Sequence, residues 1–166
     1  MKVKSAEFPH DLNIPCKSHF PCYQDAFLVT TTKQSLSATQ VYFAIFAELP
    51  KGVTLLLRIR NKIVRYFAFK ASESTMAGSL DNIRVGQKAG FLKYVYVSEL
   101  EVVSFCEERN MAMWLSVKRV EDNSFVIATR VELRTWQARI YMALIKPFHR
   151  VIAPVCIRSA LRQGKI

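Results

Sequence analysis

The sequence predicts an α+β domain in which a curved antiparallel sheet wraps around a long, bent C-terminal helix. Three observations carry that expectation. From about Phe91 to Arg134 the apolar residues recur with a period of two, the mark of strands with alternating faces. The polar groups Glu107-Glu108-Arg109-Asn110 and Glu121-Asp122-Asn123 cut that stretch into consecutive strands at short turns. From Thr135 to beyond Leu161 the pattern becomes that of a helix apolar around most of its girth, carrying Pro147 and Pro154. Each proline removes a backbone hydrogen bond and bends a helix. A helix with so little polar surface is expected to be buried on most sides, and the preceding sheet is its cover.

The remaining elements follow in order. Residues 1–22 hold Pro9, Pro15 and Pro21 and show no period, which predicts an extended arm before a single domain over 23–163. DAFLVTTT, Asp25 to Thr32, is aromatic and β-branched and reads as a strand. Ser37 is placed to cap a helix from Ala38 to Glu48, with Val41, Ile45 and Leu49 on one face. Pro50-Lys51-Gly52 ends it. A second helix is expected from Val53 to Phe69, with Leu56, Ile59, Ile63, Tyr66 and Phe67 on one side and Arg58, Lys62 and Arg65 on the other. Ala71 to Ala89 reads as a long loop with a short strand near Ile83 to Val85, and long loops often carry function. Leu92, Tyr94 and Tyr96 alternate with Lys93, Val95 and Val97. Strands over Leu100–Cys106, Met111–Arg119 and Ser124–Arg134 complete a meander with one face buried. In the last, Phe125, Ile127, Val131 and Leu133 share a face with Thr129, opposite Arg130, Glu132 and Arg134.

Composition narrows the function classes. A chain of 166 residues with 51% hydrophobic content is one ordinary domain and excludes intrinsic disorder. The net charge of +11 favours anionic partners without choosing among them. The first twenty residues lack the apolar core of a signal peptide, so the four cysteines are expected to be reduced and the protein cytoplasmic, with a peripheral membrane contact left open. The apolar run Ile140–Ile145 is bounded by Arg139 and Lys146, too short to span a bilayer. His10, Cys16, His19 and Cys22 are metal-ligating types at a spacing that matches no common zinc pattern, so no metal and no cofactor is expected. Gly78, Gly86 and Gly90 form no nucleotide-binding loop. Paired carboxylates are scarce, which argues against an acid–base hydrolase. Tyr94, Tyr96 and Trp114 would suit base stacking, but no nucleic-acid-binding signature accompanies them, so nucleic acid is not the expected partner.

Several stretches together resemble a known family. They are LRIRNKIVRYFAFK from residue 56, the Val85-Gly86 step into GFLKYVYVSELEVV, Tyr23-Gln24-Asp25-Ala26-Phe27, and RIYMALIKPFHRVI with Tyr141 ahead of Pro147-Phe148-His149-Arg150. Over about residues 22 to 160 the chain resembles the bacterial domain of unknown function 2867. The resemblance implies a helix-grip fold, similar to START, polyketide-cyclase and plant-allergen proteins, which hold apolar molecules or lipids between sheet and helix and in some cases catalyse cyclisation or hydration. It supplies no catalytic residue. The chain also departs from the family pattern at Asn110-Met111-Ala112-Met113, at Glu132 and Arg134, and at Thr135-Trp136-Gln137-Ala138-Arg139, which lowers the expectation of an enzyme.

The expected function is therefore binding of an apolar small molecule or lipid in a cavity between sheet and C-terminal helix. Tyr94, Tyr96, Trp114, Phe125, Ile127, Tyr141, Ile145 and Phe148 are its expected lining, with His149 as a polar anchor. Arg58, Lys62 and Arg65 are the expected contacts for an anionic headgroup or membrane surface. Two alternatives stay open: a cyclase- or hydratase-like enzyme using the same cavity, and a basic interaction module. For catalysis the one candidate is His149, with Cys156 two turns on. Two turns amount to about 10 Å of rise, and no third residue is visible to orient the imidazole.

Overall fold

The computed structural model describes residues 3–15, 19–50, 52–55, 58, 62 and 79–166. Among the described residues seven strands form one antiparallel sheet: β1 (Val3–Ser5), β2 (Cys22–Thr30), β3 (Lys88–Ala89), β4 (Leu92–Val97), β5 (Glu101–Glu108), β6 (Met111–Glu121) and β7 (Ser124–Leu133), in spatial order β1-β2-β7-β6-β5-β4-β3. The helix Ala38–Phe46 and the 27-residue C-terminal helix Trp136–Arg162 pack against one face. The architecture is a helix-grip α+β fold. Residues 52–55, 58 and 62 are helical too; Leu56, Ile59, Ile63, Arg65, Tyr66 and Phe67 lie outside the described residues, as does 71–78 of the expected loop. The short strand of that loop falls at Lys88–Ala89 instead of Ile83–Val85, because Ile83 is buried at the end of a 3-10 turn.

Local chemistry sets the element ends. Ser37 accepts from the Gln40 amide at 3.2 Å while the Gln40 side chain accepts from the Ser37 amide at 2.9 Å, a reciprocal cap that satisfies two orphan donors. Thr135 caps the C-terminal helix by accepting from Ala138 N at 3.3 Å. That helix continues through Pro147 and Pro154, each of which leaves the carbonyl one turn earlier without its usual donor. The β5–β6 and β6–β7 hairpins turn at 109–110 and 122–123. The pairing of β2 with β7, Cys22 opposite Glu132 through Thr30 opposite Ser124, joins segments about a hundred residues apart.

The inner face of the sheet carries Phe27, Val29, Leu92, Tyr94, Val102, Leu115, Val117, Phe125 and Ile127 against both helices. Tyr42 lies at the centre of this layer. Its hydroxyl lies 2.9 Å from Ser104 Oγ, and its ring meets Tyr94 edge-on at 5.6 Å. Burial holds the Tyr42 hydroxyl well above the usual phenol range, partly offset by the Ser104 hydrogen bond.

The outer face departs from the expected meander with one face exposed. Ala26, Val103, Ala112, Trp114, Val126 and Ala128 are buried there beneath Leu12 and Ile14. The segment that carries Ala6, Phe8, Leu12 and Ile14 covers this face. Its anchor is Glu101, buried, which accepts from Asn13 Nδ2 at 2.6 Å, Asn13 N at 3.1 Å and Ser116 Oγ at 2.8 Å. Arg130 and Glu132, which alternation places opposite the core, are buried too, with Arg130 against Cys22 and Glu132 beside Arg134.

The C-terminal helix was expected to be buried on most sides, and it is not. It packs through Ala138, Tyr141, Met142, Ile145, Cys156, Ile157, Ala160 and Leu161, while Trp136, Ile140, Leu144 and Val151 are exposed. A single sheet layer can cover only one side of a cylinder. By length and composition this helix could cross a membrane, with 28% of its most apolar window buried.

Replacing Glu101 with Gln puts an amide donor among three donors. We expect a loss of about 2 kcal/mol from leaving buried polar groups unpaired, with faster amide exchange at residues 11–15. Unchanged exchange there would separate the covering segment from Glu101.

Candidate functional site

Two adjoining cavities open between the inner sheet face and the C-terminal helix. The larger, about 220 Å³, is lined by Phe91, Cys106, Glu107, Glu108, Met111, Met113, Val131, Tyr141, Met142 and His149. The smaller, about 70 Å³, is lined almost wholly by apolar groups, among them Phe46, Leu92, Leu115, Ile127, Ile152 and Cys156. Met113 and His149 belong to both, so these two side chains form the junction.

Strand alternation explains the sheet side of this lining. Met111 and Met113 are two residues apart on β6, with the same parity as Leu115 and Val117, so all four meet the helix. On the helix, Tyr141, Met142 and His149 present one face over successive turns. Glu107 at the larger cavity pairs with Arg134 at 2.7 Å.

The expected lining residues divide into three groups. Ile127, Tyr141 and His149 line the cavities. Tyr94, Phe125 and Ile145 lie in the same layer as packed core, and Phe148 is half-buried. Tyr96 and Trp114 face away. A β-bulge after Tyr94 pairs Tyr94 with Ser104 and Tyr96 with Val103, which skips Val95 and turns Tyr96 to the outer face, 38% exposed. Trp114 has outer parity and stacks on Phe105 at 5.0 Å. Arg58 and Lys62 are exposed, and Arg65 lies outside the described residues. The methionines were missed by sequence reasoning, although the Met-x-Met spacing on a strand was a legible signal.

The thiol–imidazole pairing gains no support from the electrostatics. His149 and Cys156 line the same small cavity, but burial pushes the Cys156 thiol up to about 11, the reverse of an activated nucleophile. Among the described residues no group of three or more His, Cys, Asp or Glu is close enough to hold a metal; Cys16 lies outside them.

A separate polar cleft of about 530 Å³ lies at the edge of β2, between Cys22–Phe27 and the Lys146 and Arg150 side chains. Tyr23 donates to Asp25 Oδ2 at 2.8 Å. Burial and then Asp25 hold its hydroxyl above the usual phenol range, against the opposing effect of Arg150. Lys146 Nζ stands 6.0 Å from the Tyr23 ring centre, and the His149 ring 6.1 Å from the same ring.

Residues 19–156 match the family described as protein of unknown function (DUF2867). No curated protein matches the chain. Among solved structures, the chain is similar to norcoclaurine synthase from Thalictrum flavum in complex with dopamine and hydroxybenzaldehyde, at 12% identity and a TM-score of 0.39, covering 93% of this chain and 98% of that one. A point mutant of the same synthase with a transition-state analogue gives 11% identity and 0.37, covering 89% and 99%. CalU16 from Micromonospora echinospora gives 10% and 0.32, covering 86% and 88%. Likeness at this level carries no functional argument.

Iodoacetamide at mildly alkaline pH should label the exposed Cys22 in the folded protein and Cys156 only after unfolding. The unfolded thiol ionises near 9 and the folded one near 11, so this group's contribution to stability is complete below pH 9 and is lost as pH rises to 11. Rapid labelling of native Cys156 would refute the buried-thiol assignment.

Proposed function

The chain belongs to the family described as protein of unknown function (DUF2867), and from that premise we propose that it binds an apolar small molecule between sheet and C-terminal helix. The observation that carries this reading is the pair of cavities joined at Met113 and His149. The smaller is nearly free of polar groups and would take the apolar end of a ligand. The larger has a more polar lining, with Glu107 and Glu108 beside the shared His149, and would take a polar end of the ligand. Few polar groups in an apolar cleft is the usual make-up of a small-molecule site. Three methionines in the larger cavity give a wall that adapts to ligand shape.

Size selects among apolar ligands. The two volumes together fall near the lower bound of about 300 Å³ for small-molecule sites. A compact ring compound fits this space better than a two-chain lipid. His149 acts in this reading as a polar anchor at the junction of the two cavities.

The test is titration with the uncharged dye N-phenylnaphthylamine. Met113→Trp fills the junction and should weaken binding about tenfold or more, with folding checked by circular dichroism. Leu144→Ser, on the outer side of the helix, should leave the affinity unchanged. Full affinity in a folded Met113→Trp protein, or loss of binding in Leu144→Ser, would overturn the reading.

A further inference from the structure

The C-terminal helix carries an unpartnered apolar stripe on the side away from the sheet. Trp136, Ile140, Leu144 and Val151 are 64%, 43%, 47% and 53% exposed. Their spacings of four, four and seven residues place them along one helical face, over about 22 Å of helix axis. Such a row of large exposed hydrophobics on one element is unlike the scattered apolar residues of an ordinary surface.

The charges beside the stripe indicate what covers it. Arg139, Lys146 and Arg150 are exposed and recur at seven and four residues, forming a row along one flank. Arg158 and Arg162 are also exposed, further along the helix. The whole 27-residue helix contains no Asp or Glu, and the chain carries a net charge of +11. We propose that this face of the helix docks on an anionic lipid surface, lying in the plane of the interface. The stripe would enter the headgroup boundary, with Trp136 seated at headgroup level. Arg139, Arg158 and Arg162 would meet lipid phosphates, while Lys146 and Arg150 border the β2 cleft.

The same charges disfavour a second copy of the chain as the occupant. A two-fold contact over this stripe would bring two identical cation rows together with no carboxylate on either helix to answer them. Spanning the bilayer is disfavoured by packing: the opposite face of the helix holds Tyr141, Met142, Ile145 and Ile157 in the core, and insertion would sever those contacts. The inference is independent of the cavity, which lies on the other side of the helix.

The test is co-sedimentation with vesicles of phosphatidylcholine alone or mixed with phosphatidylglycerol, read together with tryptophan emission. Of the two tryptophans, Trp114 is buried and Trp136 exposed, so docking should shift the emission of Trp136 to the blue with the mixed vesicles only. Trp136→Phe should abolish the shift while retaining sedimentation. Leu144→Ser should weaken partitioning about tenfold, and Arg139→Gln about fivefold. High salt should weaken it as well. Equal binding to both vesicle types, or no effect of Leu144→Ser and Arg139→Gln, would overturn the proposal. So would a blue shift that depends on protein concentration without vesicles, which indicates a dimer, or resistance to alkaline carbonate, which indicates a spanning helix. Loss of sedimentation with Arg58→Gln and Lys62→Gln alone would place the contact on another element and overturn it equally.

Discussion

The structure depends on β7 being covered on both faces. Its residues alternate between Phe125, Ile127 and Val131 on one side and Val126 and Ala128 on the other, all buried. A strand apolar on both faces cannot leave either to water without losing roughly 2 kcal/mol per large side chain. One face is closed by the helices. The other is closed by the segment ending near Ile14, held down by Glu101, Asn13 and Ser116. The polar anchor works because each buried partner is satisfied. Three donors converge on one carboxylate, which offsets the cost of taking its charge out of water.

Positioning of the candidate site follows from that arrangement. Once β7 is fixed, the parity of every neighbouring strand is fixed through its register. β6 then turns Met111 and Met113 toward the helix and Trp114 away. β4 would have turned Tyr96 inward as well, but its bulge inserts one unpaired residue and reverses the parity beyond Tyr94. The expected strand aromatics therefore fill the core or the outer face, and β6 presents methionines to the larger cavity beside Phe91, Tyr141 and His149. Flexible thioethers fill a space loosely where rings would pack it shut.

The C-terminal helix presents three different sides. Toward the sheet it closes the cavity with Tyr141, Met142 and His149. Toward β2 it extends Lys146 and Arg150 over the Tyr23–Asp25 pair. Outward it leaves an apolar stripe. This explains why its sequence is apolar nearly all round although only part of its surface is buried. The apolar residues in excess of what packing requires are those of the outward face.

Much of the secondary structure was legible from local pattern. The period-two runs gave β4 to β7, Ser37 marked the start of the first helix, and Thr135 marked that of the last, because turn and cap chemistry acts between residues close in the chain. The division of β7 into two sides was equally readable from alternation. What alternation cannot state is whether the second side meets water or protein. Only the fold, which lays residues 6–14 across the sheet and pairs β2 with β7 at long range, decided that Arg130 and Glu132 are buried. The same holds for the site. The sequence by itself determined an apolar helix following a meander, with His149 and Tyr141 on its inner side. Which strand residues oppose them, and which side of the helix stays uncovered, was decided by register, one bulge and the area of a single sheet. These are properties of contacts between distant segments.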